Sequence, residues 1–217
     1  MASIQHDVGP AEPVVVRPHP VKTMSEEEFV AWCDEDTRAE WVDGEVVVMS
    51  PANLVHCKLN RFLLSVLGDF VDARSLGEVV GTEFSVRLNS KRRRLPDVLF
   101  VANERLGNLS NTHFEGPPSL IIEIVSEDSV DRDWRDKYLE YQASGMDEYW
   151  IVDPLYRRIQ AYSLGAEKVY RGIAAVDGKI ASTVVPGFYL RPEWLWQQPR
   201  SHVSAVLAEF LGTPGAG

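Results

Sequence analysis

Apolar residues recur along this chain with two periods. Phe84, Val86 and Leu88 alternate with Ser85 and Arg87, the two-residue repeat of a strand with one buried face. Leu59, Phe62, Leu63, Val66, Leu67 and Phe70 recur at steps of three and four, one face of a long helix. Turn-forming residues divide the rest. Ser25 and Glu28 make a capping box ahead of Phe29, Trp32 and Cys33, which predicts a first helix. Asp43-Gly44 separates Glu40-Trp41-Val42 from the run Glu45 to Met49, a hairpin signal; Pro51 ends the hairpin, and Gly77 is the expected stop after the long helix.

Lys91 to Arg94 reads as a basic turn into the strand Asp97 to Val101. A loop carrying Gly116-Pro117-Pro118 leads to the continuous apolar run Leu120 to Val125, and a helix is expected from about Asp131 to Ala143, stopping at Gly145. Glu148 to Val152 and Arg157 to Leu164 read as antiparallel neighbours, and Ile180 to Leu190 as a segment that closes the core. Strands interleaved with helices predict an α/β layered domain, and the hairpins predict a mixed central sheet flanked by helices. The domain is expected over residues 24–199. Residues 1–23 hold four prolines and no Leu, Phe or Trp, the composition of a flexible leader. Residues 200–217 predict a short helix (Val203, Val206, Leu207, Phe210, Leu211) and a frayed end.

Composition narrows the function. With 217 residues and 45% hydrophobic content, one sizeable core is expected. The net charge of −10 disfavours broad adhesion to nucleic acid but leaves room for a local basic patch. Two cysteines, Cys33 and Cys57, suggest neither a disulfide framework nor a zinc site. A cytoplasmic protein with no membrane span and no signal peptide is expected. No Walker A loop, G-x-G-x-x-G or G-x-S-x-G occurs, so nucleotide-hydrolase, dinucleotide and serine-hydrolase chemistry lose their usual support.

Glu123 stands out because it interrupts an otherwise apolar strand, and a buried carboxylate needs a partner. It belongs either to a solvated face, to an arginine pair, or to a cation shared with Asp97 on another strand. Two hard oxygen ligands suit Mg²⁺ or Mn²⁺. Lys137 shares a helical face with Asp133 and Tyr141 and would lean over such a site, or else form an ordinary surface pair with Asp133. Glu45 is either a further acidic member or an exposed strand residue. His56 either contacts phosphate and moves a proton or simply opens its helix. Lys91, Arg92, Arg93 and Arg94 form either a contact to a polyanionic backbone or a solvated turn.

In order and spacing, these residues resemble the Uma-two family of the PD-(D/E)xK restriction-endonuclease-like superfamily. The resemblance spans roughly residues 24–190. It rests on Met24 to Phe29, Trp41 to Glu45, Ser50-Pro51, His56, Leu95-Pro96-Asp97-Val98, Gly116-Pro117-Pro118 and Glu123-Ile124-Val125-Ser126. It continues through Asp133, Lys137, Tyr141, Gly145 and Glu148 to Pro154. It implies a restriction-endonuclease-like core and an Mg²⁺- or Mn²⁺-dependent endonuclease acting on DNA, with a homodimer as a possible assembly. Asp97, Glu123 and the backbone carbonyl of Ile124 would hold the metal, and Glu45 and His56 would assist. Val125 stands where the superfamily places its lysine, and Lys137 resembles a migrated replacement. The resemblance equally allows an inactive nuclease-fold binding or regulatory module.

Overall fold

The computed structural model describes residues 22–211, apart from 35, 128 and 131. The expected leader, except for its last two residues, the frayed end beyond 211 and the predicted helix start at Asp131 lie outside the described residues. In chain order the elements are β1 (Lys22–Thr23), α1 (Glu26–Trp32), β2 (Ala39–Val42), β3 (Glu45–Val48), α2 (Leu54–Arg74), β4 (Gly77–Gly81), β5 (Ser85–Asn89) and β6 (Arg92–Arg94). Then follow β7 (Val98–Ala102), β8 (His113–Glu115), β9 (Leu120–Ile124), α3 (Lys137–Ser144), β10 (Glu148–Asp153), β11 (Arg158–Leu164) and β12 (Tyr170–Ile173). The chain closes with β13 (Ile180–Ala181), β14 (Tyr189–Leu190), α4 (Pro192–Trp196) and α5 (Val203–Leu211). None of the described helices is long and apolar enough to cross a membrane.

The strands form two six-stranded sheets and a small pair, β13 with β14. One sheet runs β1-β3-β2-β6-β5-β8 and the other β12-β11-β10-β9-β7-β4. Each is mixed through one parallel pair, β5 with β8 and β9 with β10. The expected mixed sheet is therefore present twice. Lys22 and Thr23, read as leader, instead pair with Val46 and Glu45.

Strand alternation decides what each face of the second sheet meets. Val98, Phe100, Leu120, Ile122 and Ile124 pack with the α2 face of Leu59, Phe62, Leu63, Val66, Leu67 and Phe70. Leu99, Val101, Ile121 and Val125 pack on the opposite side with Tyr141 of α3 and Tyr149. Glu123 has the parity of Ile121 and Val125, so β9 presents it to α3.

Capping follows the sequence at the start of α1, where Ser25 and Glu28 satisfy each other's backbone N–H. Asn53 caps α2 by accepting from the His56 N–H at 2.9 Å. The end of α2 differs from expectation: Ser75 takes the left-handed position, φ 51°, and Gly77 lies inside β4. Gly77 still has a backbone reason to be glycine. Its φ is +151°, and a Cβ there would sit 2.0 Å from the Val101 carbonyl oxygen, on the strand it pairs with. Gly77→Ala should therefore destabilise the fold by about 2 kcal/mol or more, seen as a lowered denaturant midpoint with an unchanged slope.

Candidate metal and catalytic site

β9 delivers Glu123 and the start of β7 delivers Asp97. Because Val98 opposes Ile122 across the antiparallel β7–β9 pair, the two acids fall beside one another at the strand ends. Asp97 is pinned from two sides. One oxygen accepts the Ile124 N–H at 2.7 Å, and His56 Nε2 lies 3.1 and 3.2 Å from its two oxygens. Asn60, one turn along α2 from His56, donates to the Asp97 carbonyl at 3.1 Å and to Thr82 Oγ1 at 3.0 Å.

A short π-helical turn, Arg132–Asp136, precedes α3, and such turns recur at functional sites. It delivers Lys137 to the sheet at 1% exposure. The ammonium lies 2.9 Å from Glu123 Oε1, 3.3 Å from Asp133 Oδ1 and 3.5 Å from Glu40 Oε1. Tyr141, one turn later, donates its hydroxyl to Glu123 Oε1 at 2.8 Å. Glu123 Oε2 has no hydrogen-bond partner among the described residues.

Burial drives the electrostatics. It pushes the Glu123 carboxyl up to about 8, reinforced by Asp133, Asp97 and Glu40 and opposed by Lys137. Burial also opposes the charge on Glu40, but Lys137, Arg94 and Arg132 overcome it and lower that carboxyl to about 2. Burial likewise acts against the Lys137 ammonium, and Glu123, Glu40 and Asp133 outweigh it, raising its pKa.

His56, Asp97, Glu123, Ile124, Asp133 and Lys137 all line one cleft of about 490 Å³, together with Arg38 and Arg132. Five sequence-predicted residues thus meet. Glu45 does not: it is exposed on β3 and does not line the cleft. The hairpin's contribution comes from Glu40 on β2, which is 0% exposed, because β2 and not β3 borders β6. The signal for Glu40 was available, since Ala39-Glu40-Trp41 places an acid between apolar neighbours as Ile122-Glu123-Ile124 does.

The basic run is also relocated. Arg92 to Arg94 form strand β6, and carboxylates take up all three. Arg92 meets Asp43 at 2.8 Å, Arg93 meets Glu26 at 2.7 Å, and Arg94, 2% exposed, bonds Glu40 and Glu140 at 2.6 Å each. Lys91 alone of the four is exposed, at the turn. Val125 is buried in the core on the α3 side, so the lysine position of the superfamily pattern holds an apolar residue.

No group of three or more His, Cys, Asp or Glu side chains among the described residues is arranged to hold a metal ion. The donor set nevertheless fits Mg²⁺, which binds through one or two carboxylates and completes its shell with water and substrate oxygens. Asp97, Glu123 with its free Oε2, and the Ile124 carbonyl would supply the protein ligands.

Glu40→Gln leaves Arg94 and Lys137 short of one buried counter-charge, and should lower the unfolding free energy by about 3–5 kcal/mol. The pH dependence has a definite sign. A carboxyl lowered from 4.5 to about 2 contributes fully above 4.5, and the contribution is lost as pH falls toward 2. Denaturant titrations should show the gap between wild type and variant closing over that window; a gap independent of pH would contradict the ion pairing.

Comparison with known proteins gives the fold and the family. A structure described as a "putative nuclease belonging to DUF820", from Anabaena variabilis ATCC 29413, superposes with a TM-score of 0.66 at 16% sequence identity, covering 80% of this chain and 97% of that one. At that identity the likeness is one of fold. Comparison with curated proteins gives no match. The model of the Uma2 family, described as "Putative restriction endonuclease", matches residues 26–193, a span that holds every residue of the cleft. The chain belongs to the Uma2 family.

Proposed function

We propose that this protein is an Mg²⁺- or Mn²⁺-dependent endonuclease that hydrolyses DNA phosphodiester bonds. One observation carries the reading: Asp97 and Glu123 stand side by side at one cleft with the Lys137 ammonium 2.9 Å from Glu123. Asp97, Glu123 and the Ile124 carbonyl would hold the cation. When bound, a divalent cation supplies Lewis acidity toward a phosphoryl oxygen and lowers the pKa of water. Lys137 orients the attacking water and stabilises developing phosphoryl charge. Tyr141 fixes the Glu123 carboxylate, leaving Oε2 toward the ligand shell. His56 steadies Asp97 and stands ready to pass a proton at the cleft. The same proposal includes a homodimer, since cutting both strands often uses two sites, and a cytoplasmic setting that suits two unpaired cysteines.

A second reading, a binding or regulatory module that retains the fold, has its own support. Protein groups already engage Asp97 and Glu123, through His56, Ile124, Lys137 and Tyr141, and Val125 is apolar.

Incubation with supercoiled plasmid and Mg²⁺ or Mn²⁺ separates the two. Under the first reading wild type cuts, Glu123→Gln is slower by about 100-fold or more, and Tyr141→Phe by about 10-fold. Cutting undiminished in Glu123→Gln sinks the mechanism. Absence of both cutting and calorimetric Mn²⁺ uptake that Asp97→Ala abolishes favours the second reading.

A further inference from the structure

A second cavity, of about 390 Å³, opens beside the cleft and shares Arg38, Ala52 and His56 with it. Its floor is a stripe of α2. His56, Asn60 and Leu64 follow one another at steps of four, flanked by Cys57, Arg61 and Ser65, so all six share one side of the helix. His56 is the α2 residue that touches the Asp97 carboxylate. Arg61 lies five residues further, about 7.5 Å along the helix axis, the rise of about two nucleotides of a DNA strand.

The cations here are treated differently from those on β5 and β6. Arg87, Arg92, Arg93 and Arg94 are each held by carboxylates at 2.5–2.8 Å. Arg61 makes no ion pair among the described residues, and neither does Arg200. Arg200 donates Nε to the Leu195 carbonyl at 3.3 Å and lies close enough to Arg61 for the two charges to repel. Arg38 Nε is buried without a hydrogen bond, and its contact with Glu83, the one acid lining this cavity, is long at 3.6 Å. Arg61 and Arg200, without ion pairs among the described residues, and Arg38, held only by the long contact to Glu83, form a local site for anions in a chain of net charge −10, and a planar fork suits phosphate.

We infer that this cavity is the track for the phosphodiester backbone next to the scissile bond, with Arg38 and Arg61, which line it, contacting phosphates as the strand leaves the cleft past His56, and Arg200, outside the lining but near Arg61, adding to the contact. The inference rests on the nuclease reading for the identity of the polymer. It moves the nucleic-acid contact from the Lys91–Arg94 run, whose arginines are already paired, to the α2 face.

Fluorescence anisotropy of a labelled DNA duplex, titrated with the full chain in EDTA across a salt series, tests it without interference from metal-dependent cutting. Arg61→Ala should weaken binding and reduce the slope of log K against log salt by about 1, and the Arg61→Ala, Arg200→Ala double variant by about 2. Arg171→Ala, whose side chain is exposed and pairs with Glu167, should match wild type. All substituted side chains lie toward the surface, and a thermal melt of each variant confirms folding. No binding by wild type at low salt, or an unchanged slope in the double variant, overturns the track. Plasmid cutting is read separately. Cutting retained with an unchanged slope defeats the track alone, whereas salt-dependent binding through Arg61 without cutting supports the track and defeats the nuclease reading.

Discussion

One buried ammonium organises this molecule. Lys137 faces three carboxylates that arrive from three places: Glu40 from β2 in the first sheet, Glu123 from β9 in the second, and Asp133 from the turn before α3. In a dry interior such attractions are far stronger than at a surface, and each partner would be costly alone. The cluster therefore ties both sheets to one helix. Arg94 extends it, joining Glu40 to Glu140 on α3.

The same cluster carries an excess of acid. Lys137 and Arg94 do not fully compensate Glu40, Glu123, Asp133 and the adjacent Asp97, and burial adds to the imbalance. Glu123 bears the consequence, with its proton affinity raised. Under the metal-dependent reading proposed above, the charges that strengthen the fold would also favour a cation at Glu123.

Arginine placement divides the surface by purpose. Where guanidinium groups meet acids, as along β5 and β6, they brace the fold. Where they do not, at Arg61 and Arg200, the protein keeps positive charge available despite its acidic total. A structure at 16% identity shares the fold; in this chain Lys137 reaches Glu123 from α3 while Val125 joins the core.

Local chemistry made much of this readable in one dimension. The Ser25 capping box, the Asp43-Gly44 hairpin, the α2 stripe and the stop at Gly145 depend on neighbours a few residues away, so spacing reveals them. Asp97 and Glu123 were legible because an acid in an apolar strand has no local explanation. Glu45 and the Lys91–Arg94 run were misplaced because their roles depend on which strands adjoin. Strand order put β2 beside β6, so Glu40 was buried and Glu45 left in solvent, and the packing of α1 and α3 on that sheet brought Glu26 and Glu140 onto the arginines. Pairing between distant charges is an effect of distance in space, and chain spacing carries no record of it until the sheets assemble.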